Sequence, residues 1–249
     1  MEHFDCVVVG GGMVGAASAL TLAQLGLQVA LVEKFSPKDF STEQALDLRV
    51  SAISLASQNL LDQVGAWQQV TQWRTCPYKR LGVWEHESAY TEFNADDIEQ
   101  THLGHIVENR LIQLALWQQV TSLSNIRTFC PESLISLEQD NNKATLTLIN
   151  NKLTANLVIG ADGAQSKVRE MSAIGMTGWD YQQSAMLINV ETSLCQQDIT
   201  WQQFTPTGPL AMLPMPDNHA SLVWYHQKDE ISRLSALPNN QLQQQLLKT

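Results

Sequence analysis

The sequence predicts an α/β protein whose second portion is mostly β, and three observations lead there. The first 33 residues read as strand, helix and strand around a cluster of glycines. A second glycine-bearing motif follows an apolar run at 157–160, and the stretch from Trp179 onward alternates apolar with polar residues.

Each element follows from local pattern. Residues 5–9 (DCVVV) are uninterrupted and β-branched, as a strand buried on both faces must be. The run GGGMVG leads into a helix in which Ala16, Ala19, Leu20 and Ala23 recur every three to four positions. Gly26 closes that helix before a second apolar run, Leu27 to Val32, which ends in Glu33. After a polar loop (34–47) come a short strand near Val50 to Ile53 and a helix from Leu55 to Val64, with Ser54 as its cap. RLGVWEHES and TEFNA read as hairpin strands, and a long helix from Arg110 to Thr121 takes Asn109 as its cap. Residues 126–160 hold three or four short strands with a turn at Asp140-Asn141-Asn142, ending in the run Leu157 to Gly160, expected to be buried. In the tail, SAMLINVE, TWQQFT, PLAMLPM and SLVWYH are strands separated by turns at 206–208 and 216–218, and QLQQQLL is a terminal helix.

Composition narrows the function. Among 249 residues, 25 Asp and Glu face 15 Lys and Arg, a formal net charge of −10, which argues against nucleic acid as the main partner. The cysteines Cys6, Cys76, Cys130 and Cys195 form no CxxC pair, so neither a zinc pattern nor a disulfide framework is indicated; they read as reduced thiols of a cytoplasmic protein. The start carries Glu2 and Asp5 rather than a basic segment, unlike a signal peptide. No window approaches the roughly 20 apolar residues of a spanning helix, so any membrane contact is expected to be peripheral. His102 and His105 have helical metal-pair spacing, but no acidic or cysteine partner accompanies them, and no metal site is expected.

Gly10-Gly11-Gly12-Met13-Val14-Gly15 satisfies GxGxxG, and its context gives it weight: it leaves an apolar strand, opens a helix, and has Glu33 at the end of the next strand. Gly10 permits a tight turn, Gly12 lets the backbone approach a pyrophosphate, and Gly15 lets helix and strand pack closely. Amides at the helix start hold the anion and Glu33 accepts hydrogen bonds from a ribose diol. An acidic residue there disfavours a 2′-phosphate.

The second motif is GADGAQSKVR, from Gly160 to Arg169. Together the two motifs resemble the single-component flavoprotein aromatic hydroxylases, the family of p-hydroxybenzoate hydroxylase. The segments CPYKRLGVWE, VENRLIQLALWQ, LVIGADGAQSKVRE, TWQQFTPTGP and SLVWY narrow the resemblance to the ubiquinone-biosynthesis hydroxylases, over the whole chain. The resemblance implies a Rossmann-like FAD-binding domain (1–72 and 101–175) and a mostly β substrate domain (73–100 and 176–249). It implies FAD held through Gly10, Gly12, Gly15, Glu33, Arg49, Arg110, Asp162 and Gly163, and hydroxylation of a prenylated quinol with NAD(P)H and O₂ as cosubstrates. Asp162 has a simpler reading as a turn or cap residue, and Arg49 and Arg110 as ordinary surface or helix-start residues. No catalytic base is identified.

One departure stands beside these matches: the family's third motif, GDAAH with a following Pro and a glycine-rich helix start, does not occur before Thr249. The expectation is therefore an incomplete FAD-binding domain, the N-terminal part of a longer hydroxylase, inactive alone, holding FAD weakly or not at all, and prone to self-association. Two other function classes stay open: a non-catalytic flavin-fold subunit that joins other ubiquinone-biosynthesis proteins, and a flavin reductase or dehydrogenase. Quinol-dependent oxygen uptake separates hydroxylase from reductase, and bound FAD counts against the non-catalytic subunit.

Overall fold

A strand that is apolar on both faces belongs at the centre of a sheet with helices over it, and the DCVVV run lies there. The computed structural model describes residues 1–247. In chain order its elements are β1 (Glu2–Val9), α1 (Met13–Gln24), β2 (Val29–Val32), β3 (Val50–Ser54), α2 (Leu55–Gln63), α3 (Trp67–Trp73), β4 (Cys76–Tyr78), β5 (Arg80–Trp84), β6 (Thr91–Asn94) and β7 (Gly104–Glu108). There follow α4 (Asn109–Ser122), β8 (Ile126–Phe129), β9 (Leu134–Gln139), β10 (Ala144–Leu148), β11 (Lys152–Gly160), α5 (Lys167–Met171), β12 (Gln183–Glu191), β13 (Ile199–Thr205), β14 (Gly208–Met215), β15 (His219–Gln227), α6 (Lys228–Ser235) and α7 (Asn239–Leu246).

Contacts divide the chain into two compact units. The first comprises Met1–Ala45, Leu55–Arg74 and Glu108–Thr177; the second comprises Leu46–Ser54, Thr75–Val107 and the chain from Gly178 onward. The sequence reading placed 46–54 and 101–107 in the first domain; β3 and β7 share a small sheet with β4, and so they group with the second.

The first unit holds a six-stranded sheet of order β8-β2-β1-β11-β10-β9. The pairs β8/β2, β2/β1 and β1/β11 are parallel, while β11/β10 and β10/β9 are antiparallel. Val7, Val9, Ala30, Val32, Phe129, Leu146 and Leu153 build one core cluster, each large side chain contributing about 1.5–3 kcal/mol through removal from water. On α1 the buried positions Ala16, Ala19 and Ala23 are small, which lets the helix lie close to its neighbours, chiefly α4 and the strands β1 and β2.

The second unit holds the sheet β12-β15-β14-β13-β5-β6, antiparallel except between β13 and β5. The four tail strands expected from alternation are β12 to β15. Trp84 and Trp201 face one another across the parallel pair with ring centroids 5.2 Å apart. The turn at 216–218 places Asp217 and Asn218 at φ of 59° and 60°, left-handed positions that Asp and Asn tolerate.

Two expectations need correction. Asn109 is the first residue of α4 rather than its cap. Glu108 occupies the cap position but makes no side-chain cap bond; its carboxylate is taken by Arg74, with N–O distances of 3.0 and 3.1 Å. The run Leu157 to Gly160 is not uniformly buried, and Leu157 is 50% exposed. The cause is coverage: α1 and α4 pack chiefly over β1, β2 and β8, and only the five-residue α5 has substantial packing on β11.

The Arg74–Glu108 pair carries a testable consequence. Glu108 is 2% exposed and Arg74 15%, and Arg74 also donates to the Gln44 carbonyl at 3.0 Å, fastening the 34–45 loop to α3. Removing one partner leaves a charge stranded away from water. Glu108→Ala is expected to cost roughly 3 kcal/mol in urea unfolding, and Glu108→Gln less, since the amide oxygen keeps one acceptor.

Candidate functional site

Three parallel strands of the first unit end at the same level. The register pairs Val9 with both Val32 and Gly160, so the residues just beyond each strand come side by side: Gly10, Glu33 and Ala161-Asp162. Backbone bonds tie them, from the Gly10 N–H to the Val32 carbonyl (2.8 Å) and from the Ala161 N–H to the Val9 carbonyl (2.7 Å). Carboxyl ends of parallel strands with a helix starting there are where α/β sheets take ligands. A cavity of about 550 Å³ opens at this edge, lined among others by Gly10, Gly12, Glu33, Glu132, Asp162 and Lys167.

The glycines of the first motif are not equivalent. Gly10 has φ +103°, and a Cβ there would fall 2.4 Å from the Ala161 carbonyl oxygen; a Cβ on Gly15 would fall 1.8 Å from the Gly10 oxygen. Both are required by the protein itself. Gly12 has ordinary φ (−68°), and a Cβ there would meet no protein atom within 4 Å. Nothing inside the protein demands glycine at 12, whereas a ligand lying over the start of α1 would.

Glu33 lies beside this loop. One carboxylate oxygen accepts from the Gly11 N–H at 2.5 Å and the other from the Lys34 and Phe35 N–H groups at 2.7 and 3.0 Å. A carboxylate has about four acceptor positions, so one remains for a hydroxyl. Asp162 is engaged similarly: it accepts from the Ser166 hydroxyl (2.5 Å) and from the Lys167 and Val168 amides (2.7 and 3.2 Å), the first two of α5, whose cap residue is Ser166. The simpler reading of Asp162 thus describes its contacts within the chain, again with one acceptor position left. Gly163 follows at φ +85°. Arg110 donates to the carbonyls of Lys38 and Asp39 at 3.4 and 3.1 Å, holding the loop after β2. Arg49 is exposed and belongs to the second unit, so it is not among the residues gathered here.

Sequence reasoning missed two residues of α4. The Trp117 indole N–H and the Gln113 side-chain amide both donate to the Gly11 carbonyl, at 2.7 and 2.8 Å. It also missed Glu132, which is buried at the cavity wall and accepts from the Asn150 N–H and the Asn151 amide. Gln113 and Trp117 are four apart on a helix nearly all of whose residues from 111 to 117 are buried, and a polar residue inside such a run was the available signal.

The second unit has its own cavity, about 620 Å³, bordered by Cys76, Lys79, His102, His105, Gln196 and Asp198. His102 and His105 meet edge to face at 4.4 Å. Burial first, and then the neighbouring His102, lower the His105 pKa from 6.5 to about 4.

An α/β unit with a glycine turn, a helix start and an acidic side chain at the ends of parallel strands has the arrangement of a dinucleotide-binding fold. The FAD binding domain family matches residues 3–248, and the chain belongs to that family. The chain is 44% identical over 245 residues to the 3-demethoxyubiquinol 3-hydroxylase of Escherichia coli (strain K12), covering 98% of this chain and 63% of that protein. It is 34% identical to the ubiquinone hydroxylase UbiL of Rhodospirillum rubrum, covering 97% of this chain and 56% of the relative. The chain thus spans about three fifths of the length of these relatives. Among solved structures it resembles PqsL, a probable FAD-dependent monooxygenase from Pseudomonas aeruginosa, with TM-score 0.77 at 18% identity over 94% of this chain and 63% of that one. Among the described residues no helix is long and apolar enough to cross a membrane.

Two outcomes follow from this geometry. In urea unfolding, Gly10→Ala is expected to lose more than about 2 kcal/mol and Gly12→Ala less than about 1 kcal/mol, since only the first forces a side chain into backbone at positive φ. For His105 the unfolded chain binds a proton below pH about 6.5 that the folded chain refuses until about 4. The stability this group contributes is complete above that window and is lost as pH falls through it. His105→Gln should lose less stability than the parent chain between pH 7 and pH 5, a range above most carboxylate titration; equal losses would contradict the assignment.

Proposed function

We propose that the first unit holds the adenosine and pyrophosphate half of FAD, and that the protein hydroxylates a prenylated quinol in ubiquinone biosynthesis, with NAD(P)H and O₂ as cosubstrates. The observation that carries the cofactor reading is Gly12: its Cβ position is vacant of protein atoms and lies on the cavity where three strands end. The support for the reaction is that the relatives, similar over 98% and 97% of this chain, are a 3-demethoxyubiquinol 3-hydroxylase and a ubiquinone hydroxylase.

In this reading the chain's own groups divide the work. The first amides of α1, at its positive end, bind the diphosphate. Gly10 and Gly15 keep backbone segments in contact so that Gly12 is presented, and Glu33 accepts from the ribose diol with its remaining lone pair. Asp162 and Gly163 shape the opposite wall. Arg110 orders the 34–45 loop by holding its carbonyls, while the role of Arg49 rests on the resemblance alone. FAD when bound supplies hydride acceptance and oxygen activation, and the protein supplies binding, orientation and exclusion of water. The second unit, with its broad antiparallel sheet, is the substrate domain of this reading. The acidic Glu33 also disfavours a 2′-phosphate at this site, so the nicotinamide cosubstrate does not compete here as a phosphorylated dinucleotide.

The test compares FAD dissociation constants, by flavin fluorescence, for the parent chain, Gly12→Ala and Glu33→Ala. Both variants should fold and bind at least about tenfold more weakly, the first through a blocked approach and the second through lost charge-assisted hydrogen bonds. An unchanged constant in either folded variant contradicts the assignment. Oxygen uptake that depends on a prenylated quinol distinguishes a hydroxylase from a flavin reductase of the same fold.

A further inference from the structure

Two side chains from one helix converge on a single carbonyl of the glycine loop. Trp117 Nε1 and Gln113 Nε2, both on α4, donate to the Gly11 oxygen at 2.7 and 2.8 Å. From the other side the Gly11 N–H is held by Glu33 at 2.5 Å. Trp117 is buried, and a Cβ on Gly11 would fall 2.6 Å from its ring, so the indole is seated directly against the loop.

The Gly11 carbonyl and the Gly12 N–H belong to one peptide group. Among the described residues the sole cis bond is Cys130–Pro131, so this peptide is trans and planar, and its N–H points opposite to its C=O. With the carbonyl turned toward α4 and held there by two donors, the Gly12 N–H must point away from α4. Gly12 borders the cavity and Gly11 does not. Glycine on both sides of the bond would otherwise let this peptide rotate at little cost, because neither residue has a Cβ to oppose it. Donation to the carbonyl also polarises the peptide and strengthens its N–H as a donor.

We infer that Trp117 and Gln113 are positioning residues that lock the Gly11–Gly12 peptide with its N–H aimed at a bound diphosphate. The inference rests on the FAD reading above and goes beyond it by assigning the direction of this amide to α4. The lock acts on the phosphates and not on the nucleoside, because Gly12 meets only the anion, whereas ribose binding belongs to Glu33. Preorganised donors of this kind require no reorientation when the anion arrives.

The experiment uses the 249-residue chain with Trp117→Phe and Gln113→Leu, singly and together, and two probes. ADP carries the diphosphate and is measured by titration calorimetry; adenosine lacks it and is measured by NMR shift titration. In the double variant ADP affinity should fall about tenfold while adenosine affinity stays within about twofold, with an intact melting transition. A folded double variant that keeps ADP affinity overturns the inference, as does an equal loss for ADP and adenosine, which would mark a packing defect. Should the double variant not fold, Gln113→Leu alone decides: a loss of a few-fold for ADP only supports the lock, and no loss overturns it. A parent chain that binds neither ADP nor FAD overturns the FAD reading and this inference with it. A parent chain that binds FAD while the variants keep full ADP affinity overturns the lock alone.

Discussion

The close approach of Gly10, Gly15 and Ala161 is the constraint on which the first unit depends. The end of β1, the first turn of α1 and the chain leaving β11 meet with no room for a side chain: a Cβ at Gly15 would lie 1.8 Å from the Gly10 oxygen, and one at Gly10 would lie 2.4 Å from the Ala161 oxygen. Because these backbones touch, α1 rises directly from the sheet, and its buried face can be built of Ala16, Ala19 and Ala23. Because the strands also end level, with Val9 opposite both Val32 and Gly160, the residues that follow them share one edge. The cavity is thus a consequence of register and backbone contact, and the side chains around it refine a space the backbone has already made.

What was legible in the sequence is what local pattern encodes. The strand, glycine turn, helix and strand of the first 33 residues is such a unit, because glycine placement and apolar period are properties of neighbouring residues. The tail strands were legible for the same reason, through alternation and turn chemistry at 206–208 and 216–218. β4 and β7 were not. β4 has three residues, β7 follows a polar loop, and both are strands through pairing that local pattern does not show: Cys76 lies opposite Ile106, and β7 is also flanked by β3. α3 and α6, of seven and eight residues, carry too few turns for a period to show.

The candidate site divides along the same line. Glu33 and the glycines were legible because motif and spacing carry their logic. The clamp from α4 was not, since Trp117 is 106 residues from the carbonyl it holds. Read locally, a tryptophan in an apolar helix is core, and Trp117 is indeed buried; its indole N–H, which must find an acceptor in that setting, was the part of the residue with more to say. Asn109 failed as a cap for a related reason. The neighbouring Glu108 is committed to Arg74, 34 residues away, and the helix start adapts to that ion pair rather than to the preference of Asn for caps.

The proposed anion site in so acidic a chain needs an electrostatic account, since Glu33, Glu132 and Asp162 all border the cavity. The formal charge of −10 acts at long range, where salt damps it beyond roughly 8–10 Å. Close to Gly12 the nearest groups decide. Each of the three carboxylates is turned toward N–H or O–H donors of its own: Gly11, Lys34 and Phe35 for Glu33, Asn150 and Asn151 for Glu132, and Ser166, Lys167 and Val168 for Asp162. Their lone pairs are therefore directed largely into the protein. The first turn of α1 carries no acidic residue, so nothing on the helix offsets its positive end. Lys34 and Lys167 add cationic side chains at the border. Carboxylates that would repel a diphosphate if they faced it instead hold the backbone, and under the proposed cofactor reading that division would let one edge of the sheet serve both a ribose hydroxyl and an anion.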